Sequence, residues 1–133
     1  MSLFLSVGEI SGDFYGKALL EALFSRGYTG IPEGMLGPAS ASAGARSLWS
    51  SEELHIMGFS DVPRALPRLF KLLHSMTEHI LKTSPKAVLL VDSPDFHLPL
   101  AKKLRRKGYG GALLNIAPPA VWAWRRGRVK QLR

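Results

Sequence analysis

Three short stretches of the chain gather residues able to move a proton, hold a hydroxyl or bind an anion. GEISGD carries Glu9, Ser11, Gly12 and Asp13, directly after an apolar run. VDSPDFH carries Asp92, Asp95 and His97, again after an apolar run. PPAVWAWRRGR places Trp122 and Trp124 beside Arg125, Arg126 and Arg128. A carboxylate at the last position of a buried strand is partly desolvated, which raises its pKa and suits it to general base work. Asp92 is the residue so placed. Asp95 opens the following helix and reads as its N-cap. His97, one turn in, has two readings, a ligand contact or a helix-surface histidine. Tryptophans next to arginines can stack on a sugar or base and bind phosphate, or anchor a core with a solvated basic helix behind.

The first stretch has the layout of a phosphate cradle, yet it lacks the Gly-Lys-Ser/Thr ending of a P-loop and the G-x-G-x-x-G spacing of a dinucleotide fingerprint. Free N–H groups at a helix start can accept an anion. Glu9 and Asp13 would oppose a phosphate there but suit sugar hydroxyls. Ser11 as N-cap and Asp13 as first-turn dipole partner form the structural alternative. The four histidines, at 55, 74, 79 and 97, have no metal-ligand spacing, so no metal is expected.

The elements that must position these residues alternate. LFLSV (3–7) predicts a strand, and 12–26 a helix with Tyr15, Ala18, Leu19, Ala22 and Leu23 at helical spacing and Gly27 as C-cap. A second strand is predicted at 34–36, before Gly37-Pro38. The Ala, Ser and Gly-rich stretch 39–51 gives a weak helical signal, and 54–62, interrupted by Gly58, is left unassigned. An amphipathic helix is predicted over 65–81, with Leu66, Leu69, Phe70, Leu73, Met76, Thr77 and Ile80 on one face. KAVLLVD (86–92) has the near-continuous apolar character of a strand buried on both faces of a parallel sheet. A helix closed by Gly108 follows, then a further buried strand at 111–118. The expected fold is a Rossmann-like, open and mostly parallel α/β sheet with flanking helices. Ligands in such sheets bind beyond the carboxyl ends of the strands, and all three stretches fall at such ends.

With 133 residues and 46% hydrophobic content, the chain is expected to form one domain, 1–133. It contains no cysteine, no secretory leader pattern and no apolar run near the ~20 residues of a membrane span, which makes a reducing cytoplasm the default compartment. Charge is unevenly placed. Residues 1–95 hold eight bases and all ten acids, a net −2, while 96–133 hold ten bases and no acid, a net +10. Such an end suits anionic lipid head groups, phosphorylated ligands or nucleic acid, or, for Lys102–Lys107, the solvated face of a helix. It keeps open a non-catalytic binding module for nucleic acid or anionic lipid, although no nucleic-acid motif is present.

Taken together, GEISGD, LHIMGFSDVPRALPRL, VDSPDFHLPLAKKLRRKG and PAVWAWRRGRVKQL resemble the N-terminal domain of the lipid-A-disaccharide synthase family, in order and through nearly the whole chain. The resemblance implies the acceptor-side half of an inverting, two-domain GT-B glycosyltransferase that needs neither metal nor other cofactor. It implies the joining of UDP-2,3-diacylglucosamine to 2,3-diacylglucosamine 1-phosphate with release of UDP. By position it implies Asp92 as catalytic base toward the acceptor 6-hydroxyl, with substrate contacts at Glu9, Ser11, Gly12, Asp13, Asp95, Trp122 and Arg125. Departures from the family pattern are His97 in place of an asparagine, Pro118-Pro119-Ala120 in place of S-P-S, and Leu36-Gly37-Pro38-Ala39-Ser40 without an arginine. The chain stops at Arg133, before the domain that grips UDP-sugar in the family. It is therefore expected to be inactive alone.

Acylated substrates imply peripheral contact with the inner membrane from the cytoplasmic side. The 65–81 helix is the expected contact, through Leu66, Leu69, Phe70 and Leu73, with Arg64, Arg68 and Lys71 beside them. A core-facing helix is the alternative, and Leu72, off the main stripe, favours the lipid reading.

Overall fold

The structure, a computed structural model, describes residues 2–52, 54 and 62–116, with the side chains of 62–66 outside that description. Nine elements follow one another: β1 (Leu3–Val7), α1 (Ile10–Ser25), β2 (Glu33–Leu36), α2 (Pro38–Ser42), β3 (Arg46–Ser50), α3 (Val62–Thr83), β4 (Ala87–Val91), α4 (Pro94–Arg106) and β5 (Ala112–Ile116). The strands form one sheet in the order β3-β2-β1-β4-β5. All four pairings are parallel, so the fold is the Rossmann-like α/β sheet expected.

Alternation along the central strands divides the core in two. Phe4 of β1 and Val88 and Leu90 of β4 turn to one face, where Leu72, Met76 and Ile80 of α3 and Phe96, Leu100 and Leu104 of α4 cover them. Leu5, Val7, Leu89 and Val91 turn to the other, beneath Leu20 of α1. Period-2 strands buried on both faces leave no polar side, which is why β1 and β4 read as continuous apolar runs. α1 and α4 each end at a glycine of positive φ, Gly27 (+97°) and Gly108 (+94°), as their C-terminal signals predict.

The fold differs from expectation in three places. The stretch after Gly37 holds the short helix α2 and then β3, an edge strand whose side chains are mostly exposed. Its mixed composition lacks strand periodicity because one edge and most of its side chains meet solvent. β5 is a strand but not a buried one, with Leu114 half exposed. It is the last strand of the sheet, and α1 on that face lies over β1 and β4 instead. Leu72 is buried (5% exposed) in the core beside Met76 and Ile80, so it offers no support for a lipid-facing surface. Residues 55–61 and 117–133, with Trp122, Arg125 and the other bases after Ile116, lie outside the described residues.

Lys102, Arg105 and Arg106 of α4 and Lys107 at its C-cap are exposed, as a solvated helix face requires. Two of these bases have structural partners. The Arg105 guanidinium donates to the carbonyls of Tyr109 and Gly111, and Lys107 lies 3.8 Å from Glu78.

Candidate active site at the β1–β4 crevice

β1 runs on through α1 to β2 on one side, whereas α3 carries the chain across to β4 on the other. The sheet order therefore reverses between β1 and β4, and a crevice opens there beyond the carboxyl ends of both strands. The first two sequence-predicted stretches meet in it. The Ser11 hydroxyl donates to Asp92 Oδ2 at 3.3 Å. The Gly12 backbone packs so closely that a Cβ there would sit 2.8 Å from the same oxygen. Gly8 is equally confined, since a Cβ would run into the Ser93 side chain. The glycines of GEISGD thus allow α1 to start against the β4 turn.

Asp92 and Ser93 both have left-handed backbone, with φ of +60° and +45°. Such a conformation in non-glycine residues is sparsely populated and clusters at functional sites. It turns Asp92 off the end of β4 toward the α1 start. Burial first, and the Glu9 charge second, raise the Asp92 carboxyl above its ordinary pKa of 3.8, against the Ser11 hydrogen bond, which lowers it. Glu9 and Ser11 are exposed at the mouth of the crevice. The site is a half-buried, proton-seeking carboxylate flanked by a second carboxylate and a hydroxyl. A carboxylate so placed is able to take a proton from a hydroxyl group that reaches it.

Other sequence-predicted residues are placed differently. Asp13 does not face the crevice. It is buried (5% exposed), Oδ2 accepts from the amide of Ala39, and Oδ1 accepts from the amide and hydroxyl of Ser40. Those groups open α2, so Asp13 caps a neighbouring helix rather than a sugar hydroxyl. Ser11 is not the N-cap of α1 either, since Glu9 occupies that position without a side-chain cap bond and Ser11 is spent on Asp92. Asp95 is exposed in the first turn of α4, where Ser93 holds the cap position.

His97 is neither a surface histidine nor an exposed ligand contact. It is fully buried, with Nε2 2.7 Å from Ser6 Oγ and Nδ1 2.6 Å from the Asp92 carbonyl. Burial is the main reason its pKa falls to about 4, so the ring is neutral. A signal for this was present in the sequence, because His97 shares the i, i+3, i+7 stripe of Leu100 and Leu104. On α3, Phe70 is 61% exposed while Leu69 and Leu73 lean on the core. The Leu66 side chain lies outside the described residues. Among the described residues no helix is long and apolar enough to cross a membrane, and no three His, Asp or Glu residues gather as a metal site.

The sequence profile of the family described as lipid-A-disaccharide synthetase matches residues 3–133. The chain belongs to that family. It is 41% identical to the lipid-A-disaccharide synthase of Rhodopseudomonas palustris (strain HaA2), over 98% of the chain and 34% of the relative. The enzyme of the same name from Alcanivorax borkumensis is 40% identical over 97% of the chain and 33% of its own length. That of Chlamydia pneumoniae is 39% identical over 97% and 21%. The chain therefore spans between about a fifth and a third of the length of these relatives. Lipid-A-disaccharide synthetases are GT-B glycosyltransferases, a type assembled from Rossmann-like halves, and the sheet described above is such a fold.

Proposed function

We propose that this chain forms the acceptor-side half of an inverting glycosyltransferase that makes lipid A disaccharide. The observation that carries the reading is Asp92, held at the switch point of the sheet with a raised pKa, within reach of Ser11 and under the field of Glu9. In this reading the substrates are UDP-2,3-diacylglucosamine and 2,3-diacylglucosamine 1-phosphate. Asp92 takes the proton of the acceptor 6-hydroxyl as that oxygen attacks the anomeric carbon of the donor. The bond to UDP breaks on the opposite face, UDP leaves with its electron pair, and the configuration inverts. Glu9 and Ser11 orient the sugar hydroxyls. Gly12 lets the ligand and Asp92 approach the α1 backbone, and Asp95 lies at the crevice rim. Trp122 and Arg125 of the VWAWR stretch contact sugar and phosphate.

The acylated substrates place the protein at the cytoplasmic surface of the inner membrane, where α3 makes the contact. Phe70, exposed beside Arg68 and Lys71, is its best-placed apolar residue, with Leu66, Leu69 and Leu73 along the same helix.

The decisive experiment is Asp92→Asn in the complete gene product. Removing a general base is expected to lower disaccharide formation by about 10²- to 10⁴-fold with the fold intact. Near-normal transfer by a folded variant would overturn the assignment of the base.

A further inference from the structure

We infer that His97 is a positioning residue, which through one buried ring pins the left-handed turn at Asp92 to strand β1. The inference rests on the reading of Asp92 as the reactive carboxylate and concerns what aims it. The Asp92 carbonyl can only accept, so the ring nitrogen 2.6 Å away, Nδ1, carries the hydrogen. In a neutral ring that leaves Nε2 as acceptor, and the Ser6 hydroxyl at 2.7 Å donates to it. One tautomer is thereby selected, and burial opposes the charged ring, which would reverse the direction of the Ser6 bond.

The consequence is mechanical. Asp92 and Ser93 hold positive φ although neither is glycine, and such a backbone persists only where its surroundings over-determine it. Among the described residues, four hydrogen bonds hold the turn. The Asp92 amide donates to Ile116 of β5, the amides of Phe96 and His97 donate to the Ser93 carbonyl, and the His97 ring holds the Asp92 carbonyl. Of these, the ring is the one that reaches β1, through Ser6, one residue before the strand ends at Val7 and the chain turns to Glu9. It therefore couples the two halves of the crevice, the strand that leads to Glu9 and the turn that carries Asp92.

The test reads the carboxyl of Asp92 by carbon NMR titration of the 133-residue chain, with the ring of His97 followed by nitrogen NMR. The wild-type ring is expected neutral with its hydrogen on Nδ1 at pH 6. A charged ring, or one protonated on Nε2, would overturn the inference. In His97→Leu the turn loses its hold, Asp92 moves out to solvent, and its titration midpoint falls toward 3.8. His97→Asn, whose amide can still donate to the Asp92 carbonyl, is expected to keep the midpoint raised. Should His97→Leu fail to fold, Ser6→Ala keeps the ring and frees only Nε2. The hydrogen is expected to stay on Nδ1, still held by the Asp92 carbonyl, and the midpoint to move part of the way. An unmoved Asp92 midpoint in folded His97→Leu, or in folded Ser6→Ala, sinks the proposal. These readouts do not depend on Asp92 being the base, which the transfer assay of Asp92→Asn decides separately.

Discussion

The hydroxyl of Ser11 donates to the carboxylate of Asp92 across 3.3 Å, although 81 residues separate them in the chain. The bond joins the first turn of α1 to the turn after β4, and after burial, the largest influence, Glu9 and this bond adjust how readily Asp92 ionises. The two neighbours act in opposite directions, which makes the site's electrostatics separable by mutation.

Glu9→Gln removes a like charge and is expected to lower the Asp92 midpoint, whereas Ser11→Ala removes a donor to the ionised form and is expected to raise it. Carboxyl titration of the two single variants checks both signs. Equal shifts in one direction would contradict the arrangement described.

His97 makes stability depend on pH. Its native pKa, about 4, lies below the ordinary 6.5, so between these values the unfolded chain binds a proton that the native ring refuses. The stability involved is fully present above pH 6.5 and is lost as pH falls toward 4, by on the order of 3 kcal/mol. Asp92 contributes with the opposite slope, because its native pKa is raised rather than lowered. Urea unfolding at pH 7 and pH 4.5 should show a clear loss for the wild type and a much smaller one for His97→Asn. Parallel losses in the two proteins would rule out the ring as the source.

Asp13 is a structural acid. Asp13→Ala leaves the amides of Ala39 and Ser40 and the Ser40 hydroxyl without their acceptor in a buried setting. The expected cost is about 2–3 kcal/mol of unfolding free energy, measured by denaturant titration. A cost under about 0.5 kcal/mol, the range of an ordinary surface change, would mean that α2 does not need the cap.

Phe70 separates membrane contact from core packing. At 61% exposure, Phe70→Ser should leave the unfolding midpoint nearly unchanged while weakening binding to vesicles rich in anionic lipid by about tenfold, as read by co-sedimentation. Unaltered vesicle binding would remove α3 from the proposed contact.

The parts of the fold legible in the sequence were those governed by local periodicity. β1 and β4 announce themselves because both faces are buried, α3 through its spacing, and α1 and α4 through spacing and glycine ends. Asp92 was legible as a strand-end carboxylate, and Glu9 and Ser11 as residues of a loop on the same sheet edge. What escaped depended on distant partners. Asp13 meets Ser40 across 27 residues, and nothing in GEISGD reveals that its carboxylate turns away from the crevice. β3 escaped because an exposed edge strand need not be apolar. Leu72 was misread because the buried stripe of α3 is centred on Leu72, Met76 and Ile80, with Leu69 and Leu73 on its flanks.

An all-parallel sheet contains no hairpin, and here its central pair joins Leu3 to Ala87. Contacts so distant in sequence form late, because a long loop must close before they repay its entropy. During synthesis at roughly 5–20 residues per second, Ser11 exists for on the order of 4–16 s before Asp92 is made. Until then β1 can pair with β2 alone, and its other edge stays open for β4. The carboxylate and its hydroxyl are thus brought together by the pairing of β4 with β1, and no chain that ends before Asp92 carries the assembled pair.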